Sequence, residues 1–258
     1  MNEFDSEDTT GNVLLDALPP KERSKLPLVE VALSVGQVLC ECEQQVRWAY
    51  FPTTSIVSCL YTTRDGTTAE TALIGNDGMF GVALFLARGT SSARAVVQVA
   101  GQALRISPRA LLAQFSRGGA VQYVLLRYTD ALLTQISQTA ICNRLHSLEQ
   151  RLCRWLLLCH DRVGRHEFLM TQELIANMLG GRRESVTVVA GHLQDLGAIR
   201  YSRGHISIID RELLEQLACE CYGVVRNRIT EIKESRGLSA IKVPNRVTGD
   251  DRPSFSLS

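Results

Sequence analysis

The sequence predicts an α+β fold in which a β-rich N-terminal half and a helical C-terminal half are joined by one long helix. Between residues 27 and 107, short runs of β-branched residues alternate with Gly, Asn and Asp turn signals, which is typical of an all-β domain. Residues 120–147 contain neither proline nor glycine and repeat leucine and isoleucine near helical spacing. The 258 residues are enough for two domains with a helix between them.

The β-rich half has the pattern of a jelly-roll-like, double-stranded β-helix, because its short strands are separated by regular turn signals. Asp65-Gly66 predicts a hairpin between two of these strands. A short helical piece over residues 14–26, interrupted by prolines, precedes them. Ser107-Pro108 marks the first helix after them, with Ser as the cap and Pro at the first helical position. The clearest strand patterns lie at residues 29–33, 55–61 and 95–99.

Composition narrows the class of protein. Hydrophobic residues make up 45% of the chain and charged residues 21%, so it can bury a core. The formal net charge of +1 excludes a polybasic coat and a long acidic tail. The acidic N-terminus lacks the apolar core of a signal peptide, and the longest apolar stretch, residues 80–87, is far below the roughly 20 residues that span a bilayer. We therefore expect a cytoplasmic protein without membrane contact, whose eight cysteines are thiols.

The stretch from Thr171 to Ile209 predicts two helices, a glycine turn between them and a β-hairpin after them. Thr171 caps the first helix, and Gly180-Gly181 ends it. The second helix, over residues 183–196, has one apolar side. With the hairpin at 198–209, this is the pattern of a winged helix-turn-helix. The predicted apolar side consists of Val186, Val189, Leu193 and Leu196.

The opposite side of the second helix carries side chains that suit the reading of DNA bases. Arg183 can donate two hydrogen bonds to guanine, and Glu184 can accept one from cytosine. Thr187 lies on the same side and is a third candidate for base reading. The stretch from Arg182 to His205 contains four arginines and two acidic residues, so its local formal charge is +2. The candidates for contacts with the DNA backbone are Thr171, Arg182, Ser185, Arg200, Arg203 and His205.

Over roughly residues 12–220 the chain resembles the Crp/Fnr family of bacterial transcription regulators. The resemblance is strongest in Thr171-Gln172-Glu173-Leu174-Ile175-Ala176, Leu179-Gly180, Arg183-Glu184-Ser185-Val186, Leu193 and Ile199. It implies a β-roll like that of cyclic-nucleotide-binding domains, a long dimerisation helix and a C-terminal winged helix. It also implies a homodimer that reads a palindromic promoter site, with Arg183 and Glu184 at the base-reading positions, and a contact with RNA polymerase.

Two positions of the DNA-reading half depart from the family. Val188 stands where many members have a second basic residue, so the preferred DNA sequence or the affinity should differ. Arg182 stands where a capping Ser or Thr is common, which weakens the helix cap and adds a candidate phosphate contact.

The β-roll departs further at its expected effector pocket, which comprises Gly81, Val82 and Arg94. Val82 stands where members that bind cyclic AMP have a ribose-binding glutamate, and an apolar side chain cannot accept that hydrogen bond. Arg94 is followed by Ala95, which cannot bond a phosphate. No cysteine precedes Cys40, unlike the branch of the family that holds an iron–sulfur cluster on N-terminal cysteines. The sequence therefore predicts an unknown small-molecule effector, other than cyclic AMP, or none.

The remaining chemistry does not predict an enzyme. All five histidines lie beyond residue 145, so the metal site of a jelly-roll dioxygenase cannot form within the β-rich half. Cys40 and Cys42 are two apart, as are Cys219 and Cys221. In a strand Cys40 and Cys42 would share a face and could bind one metal ion, but no paired motif or histidine near them completes a four-ligand site. We expect no catalytic residues, no cofactor and no metal ligands. The alternative function is an effector-binding sensor or adaptor that acts through a protein partner.

These patterns predict five segments. They are a disordered N-terminus at 1–11, a β-roll at 12–118, a dimerisation helix at 119–147, a winged helix-turn-helix at 148–222, and a helix end with a loose tail at 223–258.

Overall fold

The computed structural model describes residues 9–64, 66–86, 89–164 and 167–234. Asp65 of the predicted hairpin, most of the N-terminal segment and the tail from residue 235 lie outside these ranges. Two short helices open the described chain, α1 (Val13–Ala17) and α2 (Pro20–Arg23). The interruption predicted at the prolines lies between them, with Pro19 as the N-cap and Pro20 as the first residue of α2. The strands and the helix that follow are β1 (Val29–Leu33), β2 (Val38–Cys40), β3 (Ala49–Pro52), β4 (Ile56–Thr62), β5 (Thr68–Ile74), α3 (Ala83–Leu86), β6 (Arg94–Val99) and β7 (Gly101–Ile106).

The seven strands form two antiparallel sheets that face each other across an apolar core. One sheet has the order β1-β7-β3, and the other has the order β2-β6-β4-β5. Because the chain passes back and forth between the sheets, each sheet contains crossovers, as in a double-stranded β-helix. Its core is filled by residues such as Phe51, Val57, Met79, Ala95 and Ile106. The predicted α+β fold class is confirmed.

A helical connection leads out of the β-roll. Helix α4 (Pro108–Ser116) begins as predicted, because the Ser107 hydroxyl accepts a hydrogen bond from the backbone N–H of Ala110 at 3.4 Å. Helix α5 (Gly119–Leu145) then runs for 27 residues. One side of α5 packs on the β-roll through Val121, Val124, Leu125 and Tyr128.

The C-terminal part contains helices, a small sheet and a last helix. The three-stranded sheet has the order β8-β10-β9, and β8 is a strand that the sequence does not predict. The last helix ends at Glu234, within the segment 223–258 for which the sequence predicts a helix end. The elements are α6 (Leu148–Val163), β8 (Glu167–Leu169), α7 (Gln172–Leu179), α8 (Arg183–Asp195), β9 (Ile199–Ser202), β10 (His205–Ile208), α9 (Arg211–Leu217) and α10 (Cys221–Glu234).

Helix α6 joins the two halves, because its apolar side belongs to a core that both share. Leu152 and Leu156 of α6 are buried in one cluster with Ile56 and Leu73 of the β-roll. At the edge of this cluster, Arg162 is buried and its guanidinium donates to both carboxylate oxygens of Asp77, at 2.9 and 2.8 Å.

Helix α10 runs back along α5 toward the β-roll. The guanidinium of Arg127, early in α5, is 3.1 Å from the carboxylate of Glu231, late in α10. Ile232 is buried in the core of the β-roll. Both ends of the helix-turn-helix segment are therefore attached to α5.

Within the described part of the chain, no helix combines the length and the apolar character that a membrane crossing requires.

Candidate nucleic-acid interface

The geometry of α7 and α8 follows from their first and last residues. The hydroxyl of Thr171 accepts a hydrogen bond from the backbone N–H of Leu174 at 3.2 Å and caps α7. Gly180 ends α7 with a φ of 60°, a left-handed conformation that glycine adopts without steric cost. The turn is thereby short enough to set α8 across α7.

One side of α8 is buried, although its composition differs from the predicted one. Val186 and Leu193 are fully buried, as the spacing predicts, and Val189 is half-buried. Leu196, predicted to be buried, is 45% exposed, and Ala190 is buried instead. Leu196 is the C-cap of α8 and keeps helical backbone angles, with φ −72° and ψ −11°, so it stays in the helical period but lies at the solvent-exposed end of the helix.

The opposite side of α8 is open to solvent over its first two turns. The side chains of Arg183, Glu184, Thr187 and Val188 are exposed, and Val188 is 72% exposed. The Thr187 hydroxyl lies 2.8 Å from Oε1 of Gln172 and 3.0 Å from the carbonyl oxygen of Arg183. Its single proton is therefore used within the helix pair. The side chains of Arg183 and Glu184 carry no such internal hydrogen bond among the described residues.

The start of α8 has the features of an anion-binding helix end. Arg182 precedes the helix in extended conformation and makes no side-chain capping bond. The first backbone N–H groups of this 13-residue helix therefore lack a side-chain partner at the cap. The side chains of Arg182 and Ser185 are exposed beside this end.

The wing is a tight hairpin whose tip lies beside the start of α7. Its two turn residues, Arg203 and Gly204, have φ values of 50° and 81°, the pattern of a type I′ turn. The carbonyl oxygen of Gly204 accepts a hydrogen bond from the backbone N–H of Met170 at 2.6 Å. The exposed Arg200 and Arg203 side chains are thereby held on the same part of the domain as Thr171.

The cations of this surface differ in how they are paired. In the described ranges, no carboxylate lies within ion-pair distance of Arg182, Arg183, Arg200 or Arg203, whereas Nδ1 of His205 is 3.0 Å from the carboxylate of Glu167. Four of the five basic side chains proposed from the sequence are therefore available to an external anion.

The three residues of the expected effector pocket have different surroundings in the structure. Val82 packs against the core of the β-roll, and Gly81 lies against the backbone of Ala49 with a φ of 119°. The Nε of Arg94 is 2.9 Å from the carboxylate of Glu41. The nearest charge that Arg94 meets is thus a carboxylate of its own domain.

Comparisons with known proteins agree with this architecture. Residues 150–217 match the family model of the Crp-like helix-turn-helix domain. FixK2 from Bradyrhizobium japonicum superposes with a TM-score of 0.64 at 18% identity, over 75% of this chain and 98% of that one. A Crp/Fnr-family transcriptional regulator from Thermus thermophilus superposes with a TM-score of 0.54 at 20% identity, over 81% and 100%. A comparison with curated protein sequences finds no match.

Residues 150–217 are thus a Crp-like helix-turn-helix domain, and a long helix connects them to a double-stranded β-helix. The fold is that of solved Crp/Fnr-family regulators, and the resemblance to that family seen in the sequence is confirmed.

Proposed function

We propose that the protein is a sequence-specific transcription regulator that binds a palindromic promoter site as a homodimer. The observation that carries this proposal is the exposed start of α8, where Arg183 and Glu184 stand beside arginines that no carboxylate of the described chain neutralises. A helix presented in this way fits the major groove with its N-terminal turns toward the bases.

The base-reading roles follow from side-chain chemistry. The guanidinium of Arg183 can donate in parallel to O6 and N7 of guanine, and the carboxylate of Glu184 can accept from N4 of cytosine. Thr187 contributes less, because its hydroxyl proton is held by Gln172 or by the helix backbone. The exposed Val188 can contact the methyl group of a thymine.

Contacts with the DNA backbone would come from three places on the same surface. Arg182 and Ser185 lie at the start of α8, Thr171 lies at the start of α7, and Arg200 and Arg203 lie on the wing. The hydroxyl of Thr171 accepts its capping bond and so keeps its proton for a phosphate. His205 is the weakest candidate for a phosphate contact, because its Nδ1 already lies 3.0 Å from the carboxylate of Glu167.

The homodimer is supported by an apolar side of α5 that nothing in the described chain covers. Its large side chains are 38–71% exposed, an unusual amount of apolar surface for one helix. A second copy of α5 would bury this side in a two-helix seam. The residues concerned are Leu126, Leu133, Ile136, Ile141 and Leu145.

Two copies joined along α5 would place two α8 helices in successive major grooves, about 34–36 Å apart. Bound at a promoter in this way, the dimer would lie within reach of RNA polymerase. The effector, if the β-roll binds one, is a small molecule other than cyclic AMP, because Val82 is apolar and Arg94 is paired with Glu41.

Selection of binding sites from random duplex DNA with the full-length protein tests the proposal. We expect a palindromic motif with guanine or cytosine at the positions nearest Arg183 and Glu184. Arg183→Ala should weaken binding to the selected site by about 1–3 kcal/mol and relax the preference at one base pair of each half-site. Arg94→Ala is the matched control, since it removes an arginine of the β-roll. Recovery of no palindromic motif would overturn the proposal and favour an adaptor that acts through a protein partner.

A further inference from the structure

Four metal-ligating side chains converge where α5 ends and α10 begins. They are Cys142, His146, Cys219 and Cys221, and their ligand atoms all lie within 4.8 Å of one another. The sulfur atoms of Cys142 and Cys219 are 3.5 Å apart, and the sulfur of Cys221 is 3.6 Å from Nδ1 of His146. The group is the only one of its kind among the residues that the structure describes.

The ligands come from two segments that are 75 residues apart in sequence, measured between His146 and Cys221. Cys142 and His146 are one helical turn apart at the end of α5, and Cys219 and Cys221 lie on either side of Glu220 where α10 begins. All three cysteines are buried, and the side chain of His146 is 13% exposed. The site is therefore largely closed to solvent.

The separations fit one tetrahedral ion. With Zn–S bonds of about 2.3 Å and Zn–N bonds of about 2.0–2.1 Å, tetrahedral ligand atoms stand about 3.3–3.8 Å apart. The distances of 3.5 Å between the sulfurs of Cys142 and Cys219 and of 3.6 Å between the sulfur of Cys221 and Nδ1 of His146 lie within this range. The other pairs of ligand atoms are at most 4.8 Å apart, so they would have to approach by about 1 Å or less when the ion binds. Three sulfurs and one imidazole nitrogen are a usual donor set of structural zinc sites.

The imidazole of His146 is oriented as a zinc ligand requires. Its Nε2 lies 3.3 Å from a carboxylate oxygen of Glu220. A proton on Nε2 donated to this carboxylate leaves the lone pair of Nδ1 directed at the sulfurs. A carboxylate behind a ligating histidine is the usual second partner in zinc sites, where it fixes the tautomer and orients the ring.

Two arginines supply the charge that such a site needs. Three thiolates and Zn²⁺ carry a net charge of −1, which is costly to bury without a cation nearby. Arg154 is buried, its charge acts on both Cys142 and Glu70, and no carboxylate of the described chain lies within ion-pair distance of it. Its Nε and that of Arg151 lack a hydrogen-bond partner. The positive charge of these side chains offsets the negative charge of the metal-bound thiolates.

We propose that Cys142, His146, Cys219 and Cys221 bind one Zn²⁺ per chain in a closed structural site. The ion would fasten the end of α5 to the start of α10 and so fix both ends of the helix-turn-helix segment at one point. This proposal does not depend on DNA binding.

Metal analysis of the full-length protein, purified without a histidine tag under reducing conditions, tests the site. We expect about one equivalent of zinc per chain, and none in Cys142→Ser/Cys219→Ser. Cys42→Ser is the matched control, because Cys42 is an exposed thiol outside the group, and it should keep the metal. After removal of zinc, Co²⁺ should produce the charge-transfer and visible bands of tetrahedral thiolate coordination. His146→Asn, which retains the buried sulfurs, should weaken metal affinity by about 10-fold or more.

A competition experiment with the wild-type protein keeps the proposal falsifiable if the double variant does not fold. A chromophoric chelator of micromolar affinity should fail to remove the metal from the native protein and should remove it after denaturation. Rapid loss of zinc from the native protein overturns the proposal. Equal zinc content in the wild type and in a folded double variant also overturns it, as does stoichiometric iron with sulfide. A Cys142–Cys219 disulfide in the purified reduced protein, without metal, has the same consequence.

Discussion

At the scale of single residues, the wing tip holds a side chain in a conformation that its chemistry disfavours. Arg203 has a φ of 50°. In this left-handed conformation Cβ comes too close to the following carbonyl oxygen, which destabilises the folded state by about 1–2 kcal/mol. Asn tolerates this conformation and is the common first residue of a type I′ turn. Strained backbone conformations are often found at functional sites, so an exposed arginine in such a conformation is consistent with the proposed phosphate contact of its guanidinium.

Replacing Arg203 should therefore separate stability from DNA binding. Arg203→Asn should raise the free energy of unfolding by about 0.5–1 kcal/mol, because it relieves part of the strain. It should also weaken DNA binding uniformly across sequences, because a phosphate contact is lost. Urea unfolding and DNA titrations at fixed salt measure the two effects. Arg203→Lys, which keeps both charge and strain, is the control. If Arg203→Asn binds DNA as tightly as the wild type, Arg203 makes no contact with DNA.

Val188 offers a second test at this scale, because it is exposed and its removal costs little folding energy. If Val188 contacts a thymine methyl, replacing that thymine by uracil in the selected site should weaken wild-type binding by about 1 kcal/mol. The same replacement should have no effect on Val188→Ala. Affinities of both proteins for both duplexes form a complete cycle. Equal losses for the wild type and the variant would show that Val188 does not meet that base.

At the scale of elements, α5 performs two packing tasks with two different sides. One side is buried on the β-roll and the other presents leucine and isoleucine to solvent. α10 lies along the same helix, so α5 contacts the β-roll, the last helix and, in the proposed dimer, a second α5. The order of residues along this one helix thus determines both the fold of the chain and its assembly.

A charge on the exposed side of α5 should break the proposed dimer. Leu133→Asp should leave the fold intact, because Leu133 is 59% exposed, and should convert the dimer to a monomer in sedimentation experiments. DNA affinity should fall by about 100-fold, since the second half-site is no longer bound in the same complex. Leu86→Asp, at an exposed leucine of α3, is the matched control. A dimer that persists in Leu133→Asp would place the interface elsewhere.

The accuracy of the sequence predictions follows the range of the interactions involved. β1, β4, β6, α4 and the pair α7 and α8 depend on local periodicity and caps, and they were predicted to within a few residues. The strand β8 has only three residues, and its pairing with β10 depends on contacts across the sheet. Leu196 keeps the helical period at the end of α8 and is nevertheless 45% exposed, because burial there depends on which elements pack nearby, and periodicity does not report that.

The cysteine and histidine group shows the same limit more sharply. The sequence contains Cys219 and Cys221 two residues apart, and a cysteine and a histidine one helical turn apart at 142 and 146. Each pair is unremarkable by itself. They meet only because α10 turns back along α5, and the return path of the last helix depends on packing rather than on local sequence. Listing such half-sites in the sequence, and then asking which elements bring them together, would have found the group.

At the scale of the whole molecule, the two halves are joined by a core with polar groups at its centre. Glu70 of the β-roll is buried against α6, where it accepts hydrogen bonds from the hydroxyl of Ser58 at 2.6 Å and from the indole N–H of Trp155 at 2.9 Å. Burial raises the pKa of Glu70 to about 7, although these hydrogen bonds oppose the shift. The carboxyl group therefore titrates near neutral pH within the junction of the domains.

This shift predicts how stability depends on pH. Between the usual pKa of 4.5 and about 7, the folded chain holds a proton on Glu70 that the unfolded chain has released. Raising the pH through this window should therefore lower the free energy of unfolding, by up to about 3 kcal/mol from this group. Glu70→Gln, which keeps both hydrogen-bond partners, should remove the decline.

Urea unfolding of both proteins across this pH window measures the effect. An identical pH dependence in the wild type and Glu70→Gln would show that Glu70 is already ionised in the folded chain.

The return of α10 to the β-roll has a mechanical consequence for the whole chain. A domain joined to its neighbour by one linker can swing in any direction, whereas one held at both ends and through a shared core can move only together with the elements that hold it. The segment between α5 and α10 is of the second kind, since α6 starts where α5 ends and Ile232 of α10 is anchored beside the origin of α5. Tilting or rotating α5 would carry α8 with it as a rigid body, so a small displacement in the β-roll would reach the groove-facing helix as a change of angle.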